Sequence, residues 1–287
     1  MITGHTRVCG LIGNPVEHTS SPAIHNSLAE HFGHDLVYVP FRVDDGGIEA
    51  AVKGAYALNI LGMNVTVPYK LDVIPYLVEI DELAKRIGAV NTLVRVDGGF
   101  KGYNTDLLGL ERALINDGAD IKGKCAVILG AGGAARSVAF LCERMQAESV
   151  YILNRTIAKA KIIADEVNAF VGREYVKACS LEEYTSIPAD KFIAIQATSV
   201  GLSPHDEEVI ISDMEFYKRV TYGFDLIYKP ADTMFMKLAR DCGAKVSNGL
   251  SMLLYQGIIA YELWNKISVS EEVSRQVYSI LEGTVRS

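Results

Sequence analysis

The chain has 287 residues, of which 49% are hydrophobic and 22% charged, a composition ordinary for a globular protein and a length that allows two domains. Its formal net charge of −7 argues against nucleic acid or an anionic membrane as the main partner. The first residues lack a signal-peptide pattern, and no apolar run reaches the roughly 18 residues that cross a bilayer. Five scattered cysteines without a C-x-x-C pair predict reduced thiols. We therefore expect a cytoplasmic protein that acts on a small molecule. The sequence leaves open whether it is a monomer or homodimer.

The first third of the chain alternates short apolar runs with helical patterns, which is typical of a mostly parallel sheet covered by helices. The predicted strands cover residues 8–12, 36–41 and 61–65, and the predicted helices cover 21–32 and 107–114. Residues 90–96 and 100–103 flank Asp97-Gly98-Gly99, which predicts a hairpin.

The second part of the chain follows the pattern of a nucleotide-binding unit. Its predicted strands cover 125–129, 149–153, 192–196, 221–225 and 244–246, and its predicted helices cover 134–145 and 157–167. Two further helices, 249–264 and 270–281, come after the last strand, so we expect them to pack against the first domain. The predicted fold is a two-domain α/β protein, with one domain formed by 1–106 and 249–287 and a Rossmann-type domain formed by 107–248.

A glycine turn follows the first strand of the second domain. Residues Gly130 to Ala135 read G-A-G-G-A-A and fit G-x-G-x-x-G/A between a strand and a helix. Such a turn lets pyrophosphate approach the backbone, where the helix N-terminus supplies free amides and partial positive charge. The alternative is a turn that only joins a strand to a helix.

The end of the next strand carries Asn154-Arg155-Thr156, with Lys159 one turn later. NAD-binding versions of this fold place an acid here for the ribose 2′-hydroxyl, whereas a 2′-phosphate pairs with a guanidinium. The pattern favours NADP over NAD. The alternative is that Arg155 is a solvated surface charge and Thr156 caps the following helix.

Three polar segments of the first domain predict a substrate pocket that faces the nucleotide. The first is a loop that runs through Thr19 to Ser21 and Pro22, where the alternative is that Ser21 only caps a helix. The second ends in Lys70 after a buried strand, where an amine at a strand end suits a ligand crevice. The third ends in Asp106, whose alternative role is the cap of the next helix.

These segments occur in an order that resembles the shikimate dehydrogenase family. The shared motifs are G-N-P-x-x-H-[ST]-x-S-P, N-V-T-V-P-[FY]-K, G-A-V-N-T, G-x-N-T-D, G-A-G-G-A and N-R-T, continued by Asp225–Tyr228 and by Gly249–Gln256. The match runs from about residue 8 to residue 264. The resemblance implies an NADP-dependent oxidoreductase acting on a CH–OH group, which reversibly reduces 3-dehydroshikimate to shikimate in chorismate and aromatic amino-acid biosynthesis.

The resemblance also implies roles for individual residues. Lys70 is matched to the acid/base group and Asp106 to its partner, and Thr19 and Ser21 to the groups that hold the substrate carboxylate. The other residues matched to the substrate pocket are Asn64, Thr66, Asn91, Tyr228 and Gln256. The residues assigned to the cofactor are Glu82, Gly130, Ala131, Gly132, Gly133, Ala134, Asn154, Arg155, Thr156, Lys159, Leu226 and Gly249, the last two of which are expected near the nicotinamide.

Three positions depart from the family pattern. Thr19 stands where serine is more frequent, Gln196 where asparagine is more usual, and Lys159 where arginine is common. These departures leave open a quinate/shikimate dehydrogenase of broader substrate range, or one that uses NAD. A non-catalytic NADP sensor is a second alternative. A metal enzyme is a third, although the six histidines show no ligand pair with a partnering acid.

Overall fold

The computed structural model describes residues 2–286, and the chain divides into two compact units. The first unit contains the chain up to Leu110 and again from Leu253 onward, and the second unit contains Glu111–Met252. Met1 and Ser287, which the predicted first domain includes, lie outside the described residues.

The first unit contains a six-stranded mixed sheet. Its strands are β1 (Arg7–Gly13), β2 (Leu36–Arg42), β3 (Gly62–Val65), β4 (Glu79–Ile80), β5 (Thr92–Val96) and β6 (Gly99–Tyr103), in the order β2-β1-β3-β5-β6-β4. β1 runs parallel to β2 and β3, and β4 runs parallel to β6, whereas β5 runs antiparallel to both of its neighbours. The predicted hairpin is confirmed, with Asp97 and Gly98 in the turn between β5 and β6.

The antiparallel placement of β5 determines where the polar segments of this unit meet. Asn64 of β3 lies opposite Thr92 of β5, and Thr92 lies opposite Tyr103 of β6. The end of β3, the start of β5 and the end of β6 therefore share one edge of the sheet. Lys70 and Asp106 follow β3 and β6 along the chain, so both segments start from this edge.

The second unit contains a six-stranded sheet in which every pair is parallel. Its strands are β7 (Cys125–Leu129), β8 (Ser149–Leu153), β9 (Val176–Cys179), β10 (Phe192–Gln196), β11 (Val220–Asp225) and β12 (Lys245–Asn248). They lie in the order β12-β11-β10-β7-β8-β9, which is the strand order of the Rossmann fold. All five residues of β7 are buried because helices cover both faces of such a sheet, and this explains its continuous apolar sequence.

The helices complete both units. In chain order they are α1 (Ser21–His31), α2 (Ile48–Ala57), α3 (Glu82–Ile87), α4 (Thr105–Asn116), α5 (Gly133–Arg144), α6 (Ile157–Val171), α7 (Met214–Tyr217), α8 (Met234–Asp241), α9 (Leu250–Asn265) and α10 (Glu271–Arg286). Within residues 2–286, no helix combines the length and the apolar character needed to cross a bilayer.

The two C-terminal helices return to the first unit, as the sequence predicts. Trp264 of α9 donates its indole N–H to the carbonyl of Leu93 at 2.9 Å. A Cβ at Gly62 would lie 2.0 Å from the same indole nitrogen, so the close approach of α9 to β3 requires glycine there. α10 packs against α1. The end of the chain thus covers the sheet on which the candidate substrate residues are carried.

Candidate active site

The ammonium of Lys70 and the carboxylate of Asp106 form an ion pair in the first unit. Lys70 Nζ lies 2.6 Å from Asp106 Oδ2, and the two side chains are 34% and 24% exposed. The main chain of Lys70 is fixed because its carbonyl accepts the amide N–H of Val90 at 2.9 Å. The pair therefore presents one donor and one acceptor that solvent, and hence a small ligand, can reach.

Asp106 is free to bond Lys70 because another residue caps helix α4. Asn104 Oδ1 accepts the amide N–H of Leu107 at 3.1 Å, and Asn104 Nδ2 donates to the carbonyl of Ala89 at 3.0 Å. The alternative role of Asp106 as the helix cap is therefore wrong. Asp106 lies in the first turn of α4, where a carboxylate is favoured by the helix dipole.

A buried network supports the pair from behind. Asn91 Oδ1 accepts the amide N–H of Thr105 at 2.7 Å, and Asn91 Nδ2 donates to Thr105 Oγ1 at 3.1 Å. Asn64 Nδ2 donates to Thr92 Oγ1 at 3.1 Å, and the hydroxyls of Thr92 and Thr105 lie 3.0 Å apart. All four side chains are almost inaccessible. Buried polar groups joined in this way resist displacement, so the residue before Asp106 is held firmly.

Tyr38 extends the network and was not predicted from the sequence. Its hydroxyl donates to Asn64 Oδ1 at 2.8 Å, and its amide N–H donates to Asn26 Oδ1 at the same distance. His25 stacks on the Tyr38 ring with centroids 4.2 Å apart. Tyr38 has the residue type of an ordinary strand position, so nothing in the sequence distinguishes it from scaffold. Thr92 and Thr105 lie in the motifs G-A-V-N-T and G-x-N-T-D, but the sequence assigned them no role.

Thr19 and Ser21 place two hydroxyls side by side at the start of α1. Thr19 Oγ1 donates to Ser21 Oγ at 3.2 Å, and the amide N–H of Ser21 donates to Thr19 Oγ1 at 3.3 Å. Ser20 occupies the N-cap position without a side-chain cap bond, so the alternative role of Ser21 as the cap is wrong. Two hydroxyls at a helix N-terminus are suited to an anionic group such as a carboxylate.

Thr66 and Gln256 are each placed by a glycine. A Cβ at Gly13 would lie 2.3 Å from the Thr66 methyl, and a Cβ at Gly109 would lie 2.6 Å from the backbone nitrogen of Gln256. Gly109 thus lets α4 and α9 approach closely within the first unit, beside the start of α4 that carries Asp106. Gln256 is buried, and its side chain donates to the carbonyl of Leu253 at 2.9 Å.

Glu82 is the most exposed of the predicted residues in this unit. It begins α3, and its carboxylate accepts Lys85 Nζ at 2.6 Å. That hydrogen bond from Lys85 lowers the pKa of Glu82. The assignment of Glu82 to the cofactor site stays a prediction.

The glycine turn follows β7 in the second unit. Gly130 has φ +109°, which favours glycine, and its amide N–H donates to the carbonyl of Leu153 at 2.9 Å. By contrast, a Cβ at Gly132 or Gly133 would meet open space among the described residues, and neither residue has a positive φ. Packing and backbone conformation therefore do not require glycine at these two positions. Unobstructed backbone at the start of α5 fits the close approach of a phosphate.

The residues that follow β8 lie at the start of α6. Asn154 Nδ2 donates to the carbonyl of Thr156 at 2.9 Å, and this bond shapes the turn. Thr156 is the N-cap, but its side chain makes no cap hydrogen bond, so the hydroxyl is not used as a helix cap. Arg155 and Lys159 are exposed, and neither forms an ion pair with a described residue. The start of α6 thus offers two positive charges without a carboxylate at the end of the strand.

Helices α5 and α6 are joined beside these two segments. Arg136 of α5 donates to both carboxylate oxygens of Glu166 of α6, with Nε to Oε2 at 2.8 Å. Hydrogen bonding to Glu166 raises the pKa of Arg136, which stays charged. The fork-to-fork geometry fixes one helix relative to the other more specifically than a lysine would.

Leu226, Tyr228 and Gly249 follow β11 and β12. The buried carboxylate of Asp225 accepts Thr233 Oγ1 at 2.6 Å and the amide N–H of Ile227 at 2.9 Å, and burial raises its pKa to about 6. A Cβ at Gly249 would lie 2.2 Å from the Leu226 carbonyl oxygen. The segment that begins at Leu226 is therefore held against its neighbours on both sides. Burial raises the pKa of Tyr228, whose phenol stays neutral.

Among the described residues, no group of three or more His, Cys, Asp or Glu side chains is arranged to hold a metal ion.

The strand order of the second unit, with a glycine turn between a strand and a helix, defines a Rossmann-type dinucleotide-binding protein. Family models identify the family within this class. Residues 11–93 match the shikimate dehydrogenase substrate binding domain, and residues 113–215 match shikimate / quinate 5-dehydrogenase. The chain belongs to the shikimate dehydrogenase family.

Relatives match over nearly the whole length. The shikimate dehydrogenase (NADP(+)) of Methanobrevibacter smithii is 39% identical, with 98% of this chain and all of that protein covered. That of Caldanaerobacter subterraneus is 44% identical over 92% of this chain and 93% of the relative. A crystal structure of shikimate dehydrogenase in complex with NADP+ has a TM-score of 0.87 at 39% identity, covering 97% and 96%. Quinate dehydrogenase from Corynebacterium glutamicum in complex with NAD has a TM-score of 0.86 at 27% identity, covering 97% and 99%.

Proposed function

We propose that this chain is an NADP-dependent shikimate dehydrogenase that reversibly reduces 3-dehydroshikimate to shikimate. The observation that carries the proposal is the ion pair between Lys70 and Asp106 in a unit that matches the family's substrate-binding domain. The exposed positive charges at the start of α6 are the second support, since they suit the 2′-phosphate of NADP.

Lys70 is the group that handles the proton in this proposal. When bound, NADPH supplies the hydride that reduces the carbonyl carbon. The ammonium of Lys70 donates a proton to the substrate oxygen in the direction of reduction, and the neutral amine of Lys70 accepts a proton from the substrate hydroxyl in the direction of oxidation. Asp106, whose Oδ2 lies 2.6 Å from Lys70 Nζ, orients the lysine side chain and accepts a hydrogen bond from a ring hydroxyl. The pair thereby also orients the carbon that reacts.

The remaining substrate residues hold the two ends of the ring. Thr19 and Ser21 bind the carboxylate through the adjacent hydroxyls at the start of α1. The ring hydroxyls contact residues that line or support the pocket, namely Asn64, Thr66, Asn91, Tyr228 and Gln256. The buried hydrogen bonds of Asn64 and Asn91 indicate that these two also keep Asp106 in place.

The cofactor residues follow from the ends of the parallel strands. The backbone at Gly132 and Gly133 contacts the pyrophosphate, together with Gly130, Ala131 and Ala134. Asn154, Arg155, Thr156 and Lys159 bind the 2′-phosphate, with Lys159 as a point charge instead of a bidentate guanidinium. Leu226 and Gly249 lie near the nicotinamide, and Glu82 is the remaining residue assigned to the cofactor.

The domain roles, partners and location belong to the same proposal. Residues 1–106 with 249–287 form the substrate domain, and residues 107–248 form the NADP domain. The partner is a small molecule and not a nucleic acid or a membrane, the protein is a monomer or homodimer, and it acts in the cytoplasm. The net charge of −7 supports the absence of a polyanionic partner.

Quinate oxidation is the second candidate activity, and Thr19 is the observation that favours it. Its methyl group enlarges the side chain at the carboxylate end relative to the more frequent serine, while its hydroxyl still bonds Ser21. A reshaped pocket at this end changes which ring fits.

One assay distinguishes these possibilities. Initial rates are measured with shikimate and with quinate, each with NADP and with NAD, at matched concentrations. We expect the highest kcat/KM with shikimate and NADP. A higher kcat/KM for quinate with NAD overturns the assignment. A protein that binds NADP but turns over neither substrate points to the non-catalytic sensor.

A further inference from the structure

In the sheet of the second unit, the strand order reverses between β7 and β10, so the carboxyl ends of these two strands form the topological switch point. β8 and β9 lie on one side of β7, whereas β10, β11 and β12 lie on the other. In open parallel sheets, the crevice at such a switch point receives the ligand. The glycine turn follows β7 at this switch point, and the loop of residues 197–200 follows β10.

The side chain of Gln196 organises that loop. Gln196 is 2% exposed, and its Oε1 accepts both the amide N–H of Thr198 at 2.7 Å and the Thr198 hydroxyl at 2.8 Å. Its Nε2 donates to the carbonyl of Val200 at 2.9 Å. The Thr198 hydroxyl also accepts the amide N–H of Val200 at 3.1 Å. One buried amide thus fixes two of the four loop residues that follow it, Thr198 and Val200, through three hydrogen bonds.

The loop in turn supports the glycine turn. A Cβ at Gly130 would lie 2.5 Å from the Thr198 methyl and 3.0 Å from the Ala197 carbonyl oxygen. Gly130 is therefore packed directly against Thr198 and Ala197 while its amide N–H bonds the carbonyl of Leu153. Movement of Thr198 leaves one side of the turn without support.

The main chain of Gln196 reaches the third segment of the candidate cofactor site. Its carbonyl accepts the amide N–H of Leu226 at 3.0 Å. Gln196 thereby contacts the segment assigned to the nicotinamide through its backbone and supports the glycine turn through its side chain and Thr198. Gln196 is thus a buried polar side chain at the carboxyl end of β10 whose amide makes three hydrogen bonds within the loop that follows.

We propose that Gln196 is a positioning residue for NADP: it holds Thr198 against Gly130 and so fixes the glycine turn in the form that receives the pyrophosphate. The proposal rests on the proposed function, because it assumes that NADP binds at this turn. Gln196 stands where asparagine is more usual in the family. Its extra methylene lets one amide reach the Val200 carbonyl while it accepts both bonds from Thr198.

The test compares three variants with the unmodified enzyme. Gln196→Ala removes the amide, Gln196→Asn shortens it, and Thr198→Ser removes only the methyl that contacts Gly130. The matched control is Asn168→Ala in the same unit, because Asn168 also accepts two amide N–H groups, from Tyr175 and Val176, and donates to one carbonyl. Asn168 is bonded at the start of β9 and not at the switch point.

For each protein, Kd is measured by titration with NADP and with adenosine 2′-monophosphate, which carries the 2′-phosphate but no pyrophosphate. The KM for NADP, the kcat with shikimate and the thermal midpoint complete the set. Loss of a few hydrogen bonds of ordinary strength predicts an NADP Kd and KM raised about tenfold in Gln196→Ala. The Kd of adenosine 2′-monophosphate should change less than about twofold, because an unaltered 2′-phosphate site keeps its affinity.

The two milder variants test the links separately. Gln196→Asn should recover part of the NADP affinity, since a shorter amide still reaches the Thr198 amide, whereas Thr198→Ser should weaken NADP binding about threefold, of the size expected for one lost methyl contact. Asn168→Ala should lower the thermal midpoint without changing the NADP Kd. If Gln196→Ala does not fold, Thr198→Ser decides the question.

Three results overturn the proposal. These are an unchanged NADP Kd in Gln196→Ala or in Thr198→Ser, an equal loss of affinity for both ligands, or the same loss of NADP affinity in Asn168→Ala. Failure of the unmodified enzyme to bind NADP refutes the proposed function itself, and with it the role of Gln196.

Discussion

Replacement of Lys70 by alanine tests the chemistry most directly. The variant removes the amine that bonds Asp106, so water must protonate the substrate oxygen. General acid–base catalysis contributes about 10²–10⁴-fold, which corresponds to about 3 to 5 kcal/mol of activation free energy. We therefore expect kcat to fall at least about 100-fold. Shikimate binding should survive, because the hydroxyls of Thr19 and Ser21 remain.

The same geometry predicts a small effect on folding. The two side chains of the pair are 34% and 24% exposed, and an ion pair reached by solvent contributes at most about 1 kcal/mol to the free energy of unfolding. A large loss of kcat with a nearly unchanged thermal midpoint thus separates catalysis from stability.

The assay is a steady-state measurement of kcat and KM with shikimate and NADP, together with a shikimate Kd. Lys101→Ala is the matched control, because Lys101 is 29% exposed and pairs with Glu79 at 3.2 Å in the same unit. It should keep the kcat of the unmodified enzyme. Near-normal turnover in Lys70→Ala would refute the assignment of Lys70 as the proton donor, and an equal loss in Lys101→Ala would attribute the effect to general damage.

Two further predictions concern stability and the cofactor. Burial lowers the pKa of His25 to about 3 from 6.5, so the folded state binds fewer protons than the unfolded state between these values and stability falls as the pH falls through this window. Between pH 7 and pH 4 the unmodified protein should lose about 3 kcal/mol more unfolding free energy in denaturant titrations than His25→Leu, which cannot titrate; parallel pH profiles would contradict this. Gly249→Ala places a methyl 2.2 Å from the Leu226 carbonyl oxygen, so we expect a KM for NADP several-fold higher and a loss of about 1–3 kcal/mol in the same titrations. An unchanged KM would show that the segment at Leu226 does not contact the nicotinamide.

The second unit was predictable from the sequence because its parallel strands are buried on both faces. The apolar runs at β7, β8 and β10 predict the observed bounds residue by residue. The glycine turn then fixes where α5 begins to within one residue. β9 was missed because a four-residue edge strand that contains Lys177 lacks a continuous apolar run.

The first unit was less predictable because its sheet is mixed. The sequence predicts the β5–β6 hairpin but not that β5 inserts beside β3 in the antiparallel sense. Helix α2 was also missed, because Val52, Gly54 and Tyr56 have low helix propensity and weaken its helical pattern. The insertion of β5 is nevertheless what gathers the polar residues at one edge, so the pocket depends on the least predictable pairing.

The spacing of Lys70 and Asp106 in the sequence does not predict their contact, because they are 36 positions apart and an antiparallel hairpin lies between them. The resemblance to the family assigned both residues to one site, and the geometry now supplies the contact. Tyr38 and Thr105 stayed hidden for a different reason. Their side chains act through Asn64 and Asn91, and no residue type or interval in a single sequence distinguishes a supporting hydrogen bond from ordinary burial.

A net charge of −7 and an anionic cofactor are compatible because the attraction is local. Exposed charges interact over about 8 Å at physiological ionic strength, so carboxylates elsewhere on the surface are largely screened from the start of α6. Arg155 and Lys159 lie at the start of α6, where the helix N-terminus adds partial positive charge, and no carboxylate follows β8 directly. Arg136 and Glu166 neutralise one another, so their pair orients the helices without adding a charge that would repel or attract the phosphate. In the site that we propose, the preference for NADP therefore depends on two exposed side chains, whereas the glycine turn that both cofactors share depends on buried groups such as Gln196.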